Sequence, residues 1–295
     1  MSEAIERLKA LEPEHDYLIG IDSDGCVFDS MEIKHKECFC PAFIKHFDLQ
    51  SVSKYARDAW EFVNLYSQSR GCNRFIAVTR ALSLLEERIE VKARGAVIPE
   101  LQGLRNWIGR EQKLGNPALE AELERAADDD LRRAYAWSLE VNERITDMVK
   151  NVPPFPQFEE ALERMRSQAD VIVVSQTPQE ALDREWAEHG ISGYVRFIAG
   201  QELGTKTEHL SMATRGAYAP NSILMIGDGP GDLKAARGND ALFFPVNPGY
   251  EEASWEQFVD VAIDRFFGGS YAGEYEKRLI GQFESYLPKQ PAWND

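Results

Sequence analysis

Tyr17-Leu18-Ile19-Gly20-Ile21-Asp22-Ser23-Asp24-Gly25-Cys26-Val27-Phe28-Asp29-Ser30 is an apolar run that ends in two carboxylates and a glycine. A short run of Tyr, Leu and Ile bounded by a turn residue reads as a buried strand of a parallel sheet, and open α/β sheets bind ligands beyond the carboxyl ends of such strands. Asp22 and Asp24 stand at that end. Strand alternation points both carboxylates the same way, and Gly25 lets the backbone turn just past them. Two like charges this close repel unless a cation or a proton separates them, and a hard divalent ion with oxygen ligands, Mg²⁺ first, meets that need. Asp-x-Asp-Gly also makes an ordinary Asx-type turn, so the rest of the chain decides between the two.

Upstream, residues 1–15 read as a short helix or arm. Downstream, Asp29 and Ser30 offer a helix N-cap, and the pattern then stays helical for about 120 residues: Met31–Phe47, Lys54–Ser67, Arg74–Glu90, Pro99–Glu111 and Pro117–Lys150, the last broken near Asp128-Asp129-Asp130. No strand interrupts them, so this block reads as an inserted helical subdomain. Asn151-Val152-Pro153-Pro154-Phe155-Pro156 cannot continue a helix and is read as a hinge strand. Strands at Val171–Val174, Val195–Ile198, Ser222–Ile226 and Ala241–Phe244 then alternate with helices at 158–168, 178–189, 207–215, 231–237 and 254–267. Alternation of this kind means a doubly wound parallel sheet, an α/β core that includes the first strand. Beyond Gly268-Gly269, Tyr271, Tyr275, Leu279 and Phe283 form an apolar stripe on a last helix, read as docked on the core or the helical block. The expected organisation is core at 1–30 and 152–267, helical insertion at 31–151, and a C-terminal helix and tail at 268–295.

Each later strand also ends in a reactive group. Ser175, with Gln176 and the turn before the next helix, is placed to hold a phosphate oxygen. Lys206 stands ahead of a helix, where an ammonium neutralises both a phosphate and a carboxylate cluster. Gly227-Asp228-Gly229-Pro230-Gly231-Asp232 adds two carboxylates in a glycine-rich loop, as an incomplete magnesium shell needs. A Ser after a strand, a lone Lys or a Gly-Asp turn is weak evidence singly. Their occurrence in this order, each at a strand end, is strong.

Composition narrows the partners. Forty-nine acidic against thirty-three basic residues give a formal charge of -16, which repels nucleic acid and anionic membranes alike. No window approaches ~20 continuous apolar residues and the N-terminus lacks the pattern of a signal peptide, so a cytoplasmic protein, monomeric or homodimeric, is expected. The four cysteines, Cys26, Cys38, Cys40 and Cys72, are too sparse for a disulfide framework. The histidines show no paired metal spacing.

These four segments resemble the four signature motifs of the haloacid dehalogenase superfamily of phosphohydrolases, and the helical insertion is similar to that superfamily's C1-type cap on a Rossmann-like core. The resemblance implies that Asp22 is the nucleophile, taking the phosphoryl group as an aspartyl phosphate, and that Asp24 is the general acid and then the general base. It implies that Ser175 and Lys206 hold phosphoryl oxygens, and that Mg²⁺ is bound by Asp22, the backbone carbonyl of Asp24, Asp228 and, directly or through another group, Asp232. Two positions depart from the common pattern: Cys26 stands where Thr is usual, raising the question of oxidation sensitivity, and Ser23 stands where many members are apolar. Asp24 argues against carbon–halogen cleavage, since members with that activity lack it. The expected activity is Mg²⁺-dependent hydrolysis of a small phosphorylated metabolite, with phosphomutase or phosphonatase as alternatives, the latter needing a cap lysine such as Lys34, Lys36, Lys45 or Lys54. A non-catalytic phosphometabolite- or protein-binding module is the reading from another class. Specificity is expected in the cap, where Arg70, Asn73 and Arg74 surround a helix-breaking glycine.

Overall fold

The computed structural model describes residues 3–294. The sheet has five strands, β1 (Tyr17–Ile21), β2 (Ala169–Val174), β3 (Phe197–Ala199), β4 (Ile223–Gly227) and β5 (Leu242–Pro245). All pair in parallel, in the order β3-β2-β1-β4-β5. The core is therefore the doubly wound α/β sheet that the alternation predicts. Register places Ile21 of β1 between Val173 of β2 and Ile226 of β4. Successive strands run outward from β1 on one side and on the other from β4, so the order reverses beside β1, where such sheets open a binding crevice.

β1 is buried along nearly its whole length because both faces carry helices, which is why its sequence is continuously apolar rather than alternating. Gly20 keeps this packing close: a Cβ there would stand 2.8 Å from Leu210 Cδ2, so the leucine would have to shift. Elements begin or end within a few residues of their predicted limits. The hinge strand does not form; among residues 151–156 only Pro154 makes a bridge, antiparallel to Phe28, and Phe155 N donates to the Val27 carbonyl at 2.8 Å. Three prolines leave too few N–H donors for a ladder.

By contact density the chain divides into two units: the chain up to Ser30 with Asn151–Tyr286, and Met31–Lys150 with the chain from Leu287 onward. The first is the sheet core. The second is helical, built around Trp60, Trp107, Trp137, Phe43, Phe47 and Phe75, all fully buried. Its first helix runs from Ser30 to His46 with a π-turn over Lys34–Phe39. The break expected near residue 128 is present: Asp128 accepts from Leu131 N at 3.0 Å and caps a new helix, Asp129–Met148.

The predicted C-terminal tail is shared between the two units. Helix Glu274–Tyr286 belongs to the core, with Phe283 edge-on to Phe243 at 5.6 Å, while Tyr271 Oη donates to the Phe243 carbonyl at 2.7 Å. The chain then joins the helical unit, where Gln68 N donates to the Pro288 carbonyl and Trp293 packs edge-on against Phe62. Trp293 and Tyr55 also cover Arg88, each with a ring centroid 4.5 Å from its guanidinium carbon.

Candidate active site

Asp22 leaves the end of β1 with its N–H on the Ile226 carbonyl at 3.0 Å, so its position is fixed by the sheet itself. The backbone then folds tightly. Ser23 O accepts from Val27 N at 2.8 Å and Gly25 N donates to Phe28 O at 2.8 Å, a turn that needs the left-handed φ of 75° at Gly25. Two indoles secure the turn from the protein side: Trp186 Nε1 donates to Ser23 Oγ at 3.0 Å, and Trp255 Nε1 to the Cys26 carbonyl at 2.8 Å. Ser23 Oγ in turn donates to Glu185 at 3.3 Å. The unusual Ser23 is thus a fully buried hydrogen-bonding residue.

Asp22, Asp228 and Asp232 form a buried group whose carboxylate oxygens lie within 4.8 Å of one another. Gly227 makes the approach possible, since a Cβ there would fall 2.3 Å from Asp232 Cβ. Asp232 accepts from Gly229 N at 3.0 Å, which anchors it to its own loop. Lys206 Nζ bridges the group, 2.5 Å from Asp22 Oδ2 and 2.6 Å from Asp232 Oδ1. Burial pushes the carboxyls of Asp22 and Asp232 up to about 6 against the opposing pull of Lys206. The ammonium of Lys206, although desolvated, is held above its ordinary range by Asp22 and Asp232. Three buried carboxylates with one cation carry a net negative charge and an all-oxygen donor set, which fits a hard divalent ion such as Mg²⁺.

Asp24 lies outside that triad. Its Oδ2 accepts from Thr177 Oγ1 at 2.7 Å and its Oδ1 from Ser30 Oγ. Ser175 is buried at the end of β2, its N–H on the Ala199 carbonyl and its Oγ accepting from Thr177 N at 3.2 Å. Gln176 Nε2 ties the turn to the Gly204 carbonyl at 2.8 Å. The structure therefore brings Asp22, Lys206, Asp228 and Asp232 into one cluster, with Asp24 and the Ser175 turn linked through Thr177. Thr177 and Ser30 escape the sequence reading, as do Ser23 and Trp186 as partners. A hydroxyl two residues into a turn carries no periodic signal.

The cap candidates lie in the helical unit and their polar groups are engaged there. Arg70 is buried and donates to the Leu65 carbonyl at 2.9 Å. Asn73 caps the helix Arg74–Glu87 through Phe75 N and donates to the Leu114 carbonyl. Arg74 donates to Ser138 Oγ and Asn142 Oδ1, stacks on Phe39 at 5.1 Å, and burial pulls its guanidinium down to about 10. Cys26 is fully buried and burial pushes its thiol well up, so a reactive thiolate is disfavoured.

The doubly wound sheet thus presents buried aspartates and a lysine at its carboxyl edge, an arrangement suited to chemistry on a polar, anionic substrate. Residues 112–244 match the family model of haloacid dehalogenase-like hydrolases. The matched segment carries Ser175, Lys206, Asp228 and Asp232; the sheet places Asp22 beside them.

Similar solved structures include a haloacid dehalogenase-like family hydrolase from Streptococcus pneumoniae, at 16% identity and TM-score 0.44, covering 82% of this chain and 90% of that one. A predicted phosphoglycolate phosphatase from Haemophilus somnus matches at 15% identity and TM-score 0.41, over 78% of this chain and 84% of that one. CbbY from Rhodobacter sphaeroides, in complex with phosphate, matches at 12% identity and TM-score 0.42, over 80% and 87%. Likeness at this level assigns no activity. Among curated proteins no match was found. No helix among the described residues is long and apolar enough to cross a membrane.

Proposed function

We propose that the protein is a Mg²⁺-dependent phosphatase that hydrolyses a small phosphomonoester through an aspartyl phosphate on Asp22. The observation that carries this reading is the division of two neighbouring carboxylates between unlike surroundings. Asp22 sits in the charged triad on Lys206, whereas Asp24 lies outside that triad and accepts from the hydroxyls of Thr177 and Ser30. Paired carboxylates in different environments take different roles, here nucleophile and acid/base.

An oxygen of Asp22 attacks phosphorus, the new O–P bond forming as the ester P–O bond breaks, and Asp24 gives its proton to the leaving oxygen. Asp24 then takes a proton from water, whose oxygen attacks the phosphoryl group and releases phosphate and free Asp22. Lys206 offsets the repulsion between carboxylate and phosphate, and the Ser175 hydroxyl and neighbouring amides meet the phosphoryl oxygens. Asp22, Asp228 and Asp232, with the Asp24 carbonyl, would hold Mg²⁺, which when bound would supply positive charge to offset that of the nucleophile and the phosphoryl oxygens.

The helical unit, which follows the nucleophile loop in the chain, takes the part of the cap, and substrate choice belongs to it, with Arg70, Asn73 and Arg74 shaping its interior. A phosphonatase needs a neutral cap amine. Lys36 pairs with Glu32 and donates to Tyr66 Oη at 3.2 Å, contacts that hold it protonated and weigh against that alternative. A cytoplasmic enzyme acting on small molecules, without nucleic acid, fits the charge of -16.

The test is phosphate release from a panel of phosphomonoesters, with and without Mg²⁺, for the wild type beside Asp22→Asn. Release that needs both metal and Asp22 supports the reading. Near-wild-type release by the variant overturns it, and so does failure of the folded, metal-loaded protein to act on any compound, which favours a mutase or a binding module.

A further inference from the structure

The helical unit contains a polar cleft, of about 510 Å³, that the proposed chemistry does not use. One face of the helix Arg74–Glu87 forms a wall with Thr79, Arg80, Ser83 and Glu87, and the turn after the helix Ser53–Asn64 supplies Ser67, Gln68 and Ser69. Arg105 and, from the C-terminal segment, Lys289 and Gln290 complete it. All these residues belong to the helical unit.

Three cations against one carboxylate is the reverse of the balance of the whole chain, with its forty-nine acidic and thirty-three basic residues. Their state is also unusual. Arg105 is locked in place, its Nε on the Glu100 carbonyl at 2.8 Å and its Nη2 on the Thr79 carbonyl and Ser83 Oγ at 3.1 and 3.0 Å, which leaves Nη1 without an acceptor among the described residues. Neither the Arg80 guanidinium nor the Lys289 ammonium is paired with a carboxylate among the described residues, although acidic side chains are abundant. A fixed guanidinium with spare donors, flanked by two uncommitted cations and two amide side chains, is pre-organised for charge-assisted hydrogen bonds to oxyanions.

We propose that this cleft is a second binding site, separate from the aspartate cluster, for a small multiply charged oxyanion, a phosphorylated or polycarboxylate metabolite. Such an anion also fastens the C-terminal segment to the helical unit, because Lys289 follows the Pro288 carbonyl that already accepts from Gln68 N. The proposal does not depend on the reaction assigned to Asp22.

Calorimetric titration of the full chain with inorganic phosphate, and separately with citrate, tests it in buffer freed of divalent metal on a chelating resin. The controls are Asp22→Asn and the double variant Arg80→Ala/Lys289→Ala, whose substitutions fall on exposed side chains. The expected result is saturable binding of one anion per chain that survives Asp22→Asn and weakens at least tenfold in the double variant, while melting temperature without anion and basal turnover stay unchanged. Tighter binding of phosphate marks the phosphorylated class, and tighter binding of citrate the polycarboxylate class. Equal affinity of the double variant and wild type, binding lost in Asp22→Asn alone, or no saturable binding of either probe overturns the proposal.

Discussion

Thr177 Oγ1 donates to Asp24 Oδ2 at 2.7 Å, joining the turn after β2 to the loop after β1. With Ser30 on the other oxygen, the carboxylate of Asp24 is oriented from both sides. In the proposed mechanism Asp24 donates and then accepts a proton, and such a role depends on that orientation. Thr177→Val is expected to lower kcat about tenfold, about 1.4 kcal/mol of barrier, with little change in KM, and Thr177→Ser to retain most of the rate. Steady-state kinetics of the two variants check this; equal rates for Val and wild type would remove Thr177 from the machinery.

The indole of Trp186 holds Ser23, the residue between Asp22 and Asp24, and packs edge-on to Phe28 and Phe158. Trp186→Phe keeps much of the packing and deletes the donor. It is expected to cost about 1–2 kcal/mol of stability in urea unfolding, and to lower kcat. Ser23→Ala in the Trp186→Phe background should add little, because both substitutions remove the same hydrogen bond. Additive losses would show that the bond is not shared.

Asp228 is buried within the aspartate group and its carboxylate is one of the three that a divalent ion would use. Asp228→Asn removes one of those charges. The Mg²⁺ concentration for half-maximal turnover is expected to rise at least tenfold, about 1.4 kcal/mol of binding, with the circular-dichroism spectrum unchanged. EDTA should abolish wild-type turnover reversibly. Mg²⁺ dependence identical in variant and wild type would place the ion elsewhere.

His209 is fully buried, and neither ring nitrogen has a partner of normal geometry, the backbone of Gly204 offering at most a weak one. Burial, with Lys206 nearby, pulls its imidazolium down from 6.5 to about 4. Between these values the unfolded chain binds the extra proton and the native one does not, so stability is complete above 6.5 and falls as pH drops toward 4. The loss is bounded by about 3 kcal/mol. Urea unfolding from pH 7 to 4 should show a smaller fall for His209→Leu than for the wild type, and parallel curves would exclude His209 as the cause.

The strand ends announced themselves in the sequence because parallel strands are uninterrupted apolar runs, and the polar residue that stops each run lies at the sheet's carboxyl edge. Asp22, Ser175 and Asp228 are of this kind. Lys206 was visible for a related reason, standing at the start of a helix after a strand. Thr177 was invisible because its importance comes from a register between β1 and β2 that only folding creates. Ser23 looked like a departure from a family pattern; its meaning resides in Trp186, far along the chain. Arg70, Asn73 and Arg74 stand out as polar groups beside a glycine, and among their contacts are the Leu65 and Leu114 carbonyls, the N-terminus of the helix Arg74–Glu87 and the side chains of Ser138 and Asn142. The tail's stripe was readable as a helix, but helix periodicity says nothing about where a chain goes after the helix ends.

That last course has a practical meaning for exchange of parts between related enzymes. The helical unit is not a continuous insertion, because Trp293, which covers Arg88 and packs on Phe62, arrives from the opposite end of the chain. A graft of residues 31–150 alone onto a foreign core would leave Arg88 stripped on one side and Phe62 open to water. The transplantable module is two pieces, and a recipient lacking the closing segment would receive it incomplete.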